Sequence, residues 1–256
     1  MAIENIFDTH AHYDDVRFNE DRDELIRSLP SKGVSGIINI GCTLPRSQKS
    51  VDLANKYEFV YAAVGIHPSD VEDLPADYAD KLKLMAQNEK VIAIGEIGLD
   101  YYYDGYDKDL QIKIFKEQLE LAKELELPVV IHSREATQDM MEILKKYQPK
   151  GVMHCYSGSA ETAKEILALG MYLSFTGVIT FNNARRAVEA CKVIPMDMLL
   201  LETDAPYMAP TPYRGQRCDS SMITEMAKKV AEIKGISAQE VANKCADNAR
   251  ILFGID

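Results

Sequence analysis

The feature that most restricts the fold of this 256-residue chain is one alternation, repeated eight times. Short apolar runs rich in β-branched residues are each followed by a longer stretch with helical spacing. The runs are Ile3–Phe7, Val34–Ile40, Phe59–Val64, Val91–Ile94, Val129–Ile131, Val152–Met153, Met171–Phe175 and Met198–Leu201. Helices are predicted near 18–29, 46–56, 77–88, 108–126, 136–147, 160–169, 183–193, 220–234 and 238–252. In the 108–126 stretch, Ile112, Phe115, Leu119 and Ala122 fall on one stripe, and Pro128 stops the helix before the next run. Strands alternating with helices imply a parallel sheet. Eight such units predict an α/β fold, a (β/α)8 TIM barrel, with residues 1–256 forming a single domain. The alternative is a doubly wound open sheet, but no Gly-rich dinucleotide fingerprint follows the first run.

Composition narrows the class further. No apolar run approaches the roughly 20 residues of a membrane span. Met1–Asn5 has no basic segment followed by an apolar one, so the expected location is the cytoplasm. The five cysteines are widely spaced and form no CxxC pair, which suits free thiols in a reducing compartment. A formal net charge of −11 repels polyanions and argues against a protein that coats long duplex DNA. It leaves room for an enzyme acting on a strand end, because bound cations reverse the sign locally. Nothing in the sequence calls for an obligatory protein partner.

The ends of the apolar runs hold the chemistry. The first runs into Asp8-Thr9-His10-Ala11-His12, and the third into Gly65-Ile66-His67-Pro68. The fourth leads to Gly95-Glu96, the fifth to His132-Ser133-Arg134, the sixth to His154-Cys155 and the eighth to Glu202-Thr203-Asp204. All five histidines therefore fall at carboxyl ends of predicted strands, the pole where barrel enzymes build their sites. Residues i and i+2 of a strand share a face, so His10 and His12 suit one metal ion. His132, His154 and Asp204 arrive from other strands, and Glu96 is placed to reach between two ions. Such a donor set suits zinc, manganese, cobalt or iron, with magnesium a further option. One buried histidine is more often a hydrogen-bonded core residue than a ligand. The joint pattern argues for metal, because so many buried polar groups would otherwise each need a hydrogen-bond partner.

These residues resemble the TatD-type metal-dependent DNases, a branch of the amidohydrolase-like TIM barrels. The matching stretches are DTHAH (8–12), VGIHP (64–68), GEIGLDYY (95–102), PVVIHSREA (128–136), HCYSG (154–158), FTGVITF (175–181) and ETDAPYMAP (202–210), with Gln111, Phe115 and Gln118 on a helix. The resemblance implies metal ligands at His10, His12, Glu96, His132, His154 and Asp204. Glu96 stands where many relatives in the wider superfamily hold a bridging carbamylated lysine. It implies phosphodiester hydrolysis, commonly as a 3′→5′ exonuclease on DNA with single strands favoured. One segment departs: the family usually reads close to R-G-x-R-N-x-P, whereas here Arg214-Gly215-Gln216-Arg217-Cys218-Asp219-Ser220 lacks the Asn and the Pro.

The expected mechanism uses two divalent ions, Mg, Mn or Zn, roughly 3.5–4 Å apart on the scissile phosphate. The expected partner is a nucleic-acid strand end, DNA or RNA, or a nucleotide. Asp204 fits two roles, metal ligand alone or ligand and proton acceptor. His67 fits a donor to phosphate, a general acid or a hydrogen-bonded support. Arg134 fits phosphate neutralisation or an ion pair with Glu202 or Asp100. Arg214 and Arg217 fit backbone contacts or a solvated loop. Tyr101, Tyr102, Tyr103 and Tyr106 fit base stacking or closure of the barrel mouth. Two rivals use the same residues: hydrolysis of a small amide, lactone or ester, and a metal-stabilised scaffold without catalysis.

Overall fold

All eight predicted strands are present in the structure, a computed structural model that describes residues 2–255. They are β1 (Ile6–Ala11), β2 (Val34–Ile40), β3 (Val60–Val64), β4 (Val91–Asp100), β5 (Val129–Arg134), β6 (Gly151–Met153), β7 (Tyr172–Phe175) and β8 (Leu199–Leu201). They belong to one parallel sheet in the order β1-β2-β3-β4-β5-β6-β7-β8, the topology of a (β/α)8 barrel. The helices are α1 (Arg22–Ser28), α2 (Leu44–Lys56), α3 (Tyr78–Met85), α4 (Lys108–Glu124), α5 (Thr137–Tyr147), α6 (Ala160–Ala168), α7 (Arg185–Val193), α8 (Ile223–Lys234) and α9 (Ala238–Phe253). Among the described residues, no helix is long and apolar enough to cross a membrane.

Three strands run further than their apolar runs suggest, among them β5, which continues past Ile131 to Arg134. β1 continues through Asp8, Thr9 and His10, and β4 continues six residues beyond Ile94 to Asp100. All ten residues of β4 are buried, and its register with β5 breaks between Ile94 and Ile97. Gly98 makes the continuation possible. Its φ is +148°, and a Cβ there would lie 1.9 Å from the carbonyl oxygen of His132.

The chain divides into two compact units. The first takes in residues up to Ile38, Cys155–Ala168 and the chain from Tyr172 onward. In it Ala11 of β1 bridges Ala205, in the segment that follows β8, and α9 lies on both strands. The capping box of Ser237 and Glu240 starts α9, satisfying two end donors at once. Buried Asn248 of α9 donates to the carbonyls of Met196 and Leu199 at 2.7 and 2.8 Å and so fixes the start of β8.

The second unit spans Asn39–His154 with Leu169–Met171. Its organising element is α4. The buried face includes Phe115, Leu119 and Ala122 as predicted, whereas Ile112 is half-buried and Ile114 is buried beside the stripe. Two glutamines are buried on the same helix and act as backbone surrogates. Gln111 accepts from the Asp100 N–H and donates to the Asp100 carbonyl, both at 2.9 Å. Gln118 does the same for Ile66, at 2.8 and 3.0 Å. Each amide supplies one donor and one acceptor to a backbone residue at the carboxyl pole of the sheet. The segments before His67 and after Glu96 are thereby held to one helix.

Candidate metal centre

In the first unit, the i, i+2 spacing puts both imidazoles of β1's end on one side. His10 Nε2 lies 3.2 Å from His12 Nε2, and Asp204 Oδ1 lies 3.7 and 3.4 Å from these two nitrogens. His10 is fully buried and Asp204 retains 14% side-chain exposure, so this cluster has one open side. The backbone builds it. Asp204 N–H donates to the His10 carbonyl at 2.8 Å, and His12 N–H to the Ala205 carbonyl at 2.7 Å. Asp204 itself adopts φ +58°, a conformation Asp tolerates better than most residues.

Behind the cluster sits a residue that sequence reading left without a role. Asp8 is fully buried and accepts four hydrogen bonds: from Thr203 N (2.9 Å), Thr203 Oγ1 (2.6 Å), Ser220 Oγ (2.7 Å) and His10 N (3.3 Å). It ties β1 to the segment that carries Asp204. Burial drives its pKa up to about 7, against the pull of these hydrogen bonds. Ser220 occupies the place of the missing family proline, and its N–H donates to the Tyr13 hydroxyl at 2.9 Å. The altered loop is thus anchored on the back of the cluster. Cys218 is fully buried, and burial pushes its thiol pKa up, which makes it inert.

The second unit holds the other cluster. Glu96 Oε1 lies 2.9 Å from both His132 Nδ1 and His154 Nε2, and those two nitrogens are 3.2 Å apart. Three atoms with lone pairs face one point, a donor set that fits a divalent cation. The other face of His132 is fixed by Asp100, whose Oδ2 lies 3.0 Å from Nε2. With Nε2–H donating to that carboxylate, Nδ1 presents its lone pair to the cluster. Burial opposes a charge on His132, but the hydrogen bonds to Asp100 and Glu96 outweigh it and raise its pKa. Burial likewise opposes the Asp100 carboxylate, and the bonds from His132 and Tyr102 N–H outweigh it and lower its pKa.

His67 stands at the rim of this cluster, its Nε2 3.6 Å from Glu96 Oε1. Its Nδ1 accepts from Ser69 N–H at 3.1 Å, which leaves the proton on Nε2. Burial is the main reason its pKa falls to about 4, so it is a neutral N–H donor near pH 7. Arg134 closes the end of β5, with its guanidinium carbon 3.4 Å from the Tyr102 ring centroid. It therefore stacks rather than pairing with Asp100, which is engaged by His132. Arg214 lies over Phe181 at 3.7 Å and donates to the Ala209 carbonyl at 3.3 Å. Arg217 is a clip, with two nitrogens on the Asp21 carboxylate at 2.8 and 2.5 Å. Glu202, expected only as an ion-pair partner, accepts from the Cys155 N–H at 2.5 Å and so holds the residue after His154.

Clusters of imidazole and carboxylate at strand ends of a (β/α)8 topology define the class, a metal-dependent hydrolase. The pattern of the TatD related DNases matches residues 7–254, and the chain belongs to that family. It is 41% identical over 254 residues to the uncharacterized metal-dependent hydrolase YabD of Bacillus subtilis, covering 98% of this chain and 100% of that one. It is 34% identical over 259 residues to the 3′-5′ ssDNA/RNA exonuclease TatD of Erwinia tasmaniensis, covering 98% and 100%. The crystal structure of YjjV, a TatD homolog from Escherichia coli K12, superposes with a TM-score of 0.93 at 31% identity, covering 98% of this chain and 99% of that one.

Proposed function

We propose that this protein is a cytoplasmic 3′→5′ exonuclease acting on single-stranded DNA, with RNA as a second substrate, and that its two units work as one catalytic domain. The observation that carries the reading is the pair of carboxylate–imidazole clusters, His10–His12–Asp204 and Glu96–His132–His154. Each is a donor set that would hold a divalent ion, Mg, Mn or Zn, His10, His12 and Asp204 for one and Glu96, His132 and His154 for the other. Such ions, when bound, polarise phosphoryl oxygens and ease deprotonation of water. The remaining work falls to the chain. Asp204, on the open side of its cluster, takes the proton of the attacking water. His67, a neutral imidazole, donates a hydrogen bond from Nε2–H to the leaving oxygen, whose proton comes from solvent. Arg134, preorganised on Tyr102, receives the phosphate next along the strand, and Arg214 holds the strand further out. The relative from Erwinia tasmaniensis named as a 3′-5′ ssDNA/RNA exonuclease supports this substrate class.

The test uses purified protein and end-labelled single-stranded oligonucleotides, with and without chelator, across Mg2+, Mn2+ and Zn2+. Ladders that shorten from the 3′ end only when metal is supplied are the expected result. Asp204→Asn is expected to lower kcat at least about 100-fold while leaving the circular dichroism spectrum unchanged. Absence of cleavage with every metal, together with turnover of a small amide or lactone, refutes the reading.

A further inference from the structure

The second unit carries a cavity beside the Glu96–His132–His154 cluster whose chemistry the ligand residues do not use. Its volume is about 330 Å3, and it lies between the turn after β3 and the loop after β4. It meets the cluster through Asp100, which holds His132, and through Pro68, which follows His67. Tyr103 and Tyr106 line it, and they are 61% and 40% exposed. Glu72 and Asp104 line it too, and no lysine or arginine does.

We infer that this cavity receives the nucleobase of the strand's terminal nucleotide, with Tyr103 as the stacking surface and Asp104 and Glu72 as acceptors for base N–H groups. The inference rests on the exonuclease reading and names how that substrate is recognised. The carboxylate walls repel a phosphate and favour a neutral group rich in hydrogen-bond donors. The volume lies at the small end of the range for ligand pockets, about 300–1,000 Å3, which suits one nucleoside and not a longer segment.

The aromatic walls are held in place before any ligand arrives. Arg134 occupies one face of Tyr102, and Tyr102 meets Tyr103 edge to face, at 5.0 Å and 88°. Tyr106 stacks on Tyr101 at 4.9 Å and 6°, and the Tyr101 hydroxyl donates to Asp139 at 2.9 Å. Stacking on fixed rings tolerates any base, whereas carboxylate acceptors discriminate. Adenine, cytosine and guanine carry an exocyclic amino group, and thymine carries a carbonyl oxygen in its place. The cavity therefore favours amino-bearing terminal bases over thymine.

The experiment measures kcat and KM of the metal-loaded enzyme on oligonucleotides that differ only in the 3′-terminal residue: A, C, G, T or an abasic tetrahydrofuran. Tyr103→Ala is expected to raise KM for base-bearing ends about tenfold and to leave kcat and the abasic end unchanged. Tyr103→Phe keeps the ring and is expected to behave as wild type. Asp104→Ala combined with Glu72→Ala removes both acceptors and is expected to erase the discrimination against thymine. An active wild type whose KM is indifferent to Tyr103→Ala, or whose abasic and base-bearing ends shift together, overturns the pocket alone. A wild type inert on every oligonucleotide overturns the exonuclease reading and the pocket's occupant with it.

Discussion

Replacing Asp100 by alanine measures how far one carboxylate outside the ligand set governs metal binding. The change removes the acceptor of the 3.0 Å bond from His132 Nε2 and of the 2.9 Å bond from Tyr102 N–H. A hydrogen bond to a charged group contributes about 1.5–3 kcal/mol, which is about 10- to 150-fold in an equilibrium constant. The upper end needs a site sealed from water. Asp100 is only 5% exposed, but the His132 side chain is 18% exposed, so water reaches the stranded N–H and the lower half of the range applies. The expected loss is about 10- to 30-fold in affinity for the ion at Glu96–His132–His154, in line with the effect of removing a carboxylate behind a ligand histidine. The ion at His10–His12–Asp204 is expected to keep its affinity. Calorimetric titration of metal-free protein with Zn2+ or Mn2+ resolves the two classes. Asp100→Asn retains an oxygen that accepts from Nε2–H and is expected to fall between. A folded Asp100→Ala variant with both affinities within about twofold of wild type refutes the argument that this bond sets the His132 lone pair.

Two further outcomes follow from buried contacts. Gly98→Ala drives a Cβ to within 1.9 Å of the His132 carbonyl oxygen at a φ of +148°, so it is expected to destabilise the fold by more than about 3 kcal/mol, read by urea unfolding; a smaller loss means that β4 and β5 separate easily. Asp8 makes stability depend on pH in the metal-free protein. Its folded pKa is raised to about 7 from 3.8, so the folded state keeps a proton that the unfolded state releases, and stability falls as pH rises from about 4 to about 7. The fall amounts to at most about 4 kcal/mol. Asp8→Asn removes this dependence, and parallel pH profiles of the two proteins would show that Asp8 is ionised in both states.

Much of this architecture was legible in local composition. The run Val34–Ile40 is β2 to the residue, because Val34, Ile37, Ile38 and Ile40 are all buried in the sheet and only Ser35 is exposed. β4 was cut short at Ile94 because Gly95, Glu96 and Gly98 read as strand breakers, although Gly98 is what lets the strand pass His132. The histidines of the two clusters stood out because imidazole is scarce in this chain and sits at strand ends. Asp8 and Asp100 did not, since each takes its role from a partner remote in sequence, Thr203 for one and His132 for the other. Arg217 illustrates the opposite limit. Nothing local in Arg-Gly-Gln-Arg says that its second arginine grips Asp21 rather than a substrate.

The paired amides of α4 have a consequence for how this chain can vary. Gln111 and Gln118 lie seven positions apart, two turns of one rod, and each grips a different tip of the sheet. Their phase is fixed by the pitch of the helix. A single residue inserted between them swings one arm through about 100° and frees either the His67 tip or the Asp100 tip. The separation of those tips is thus ruled by a length of helix, and drift in that segment is confined to exchanges that keep its count.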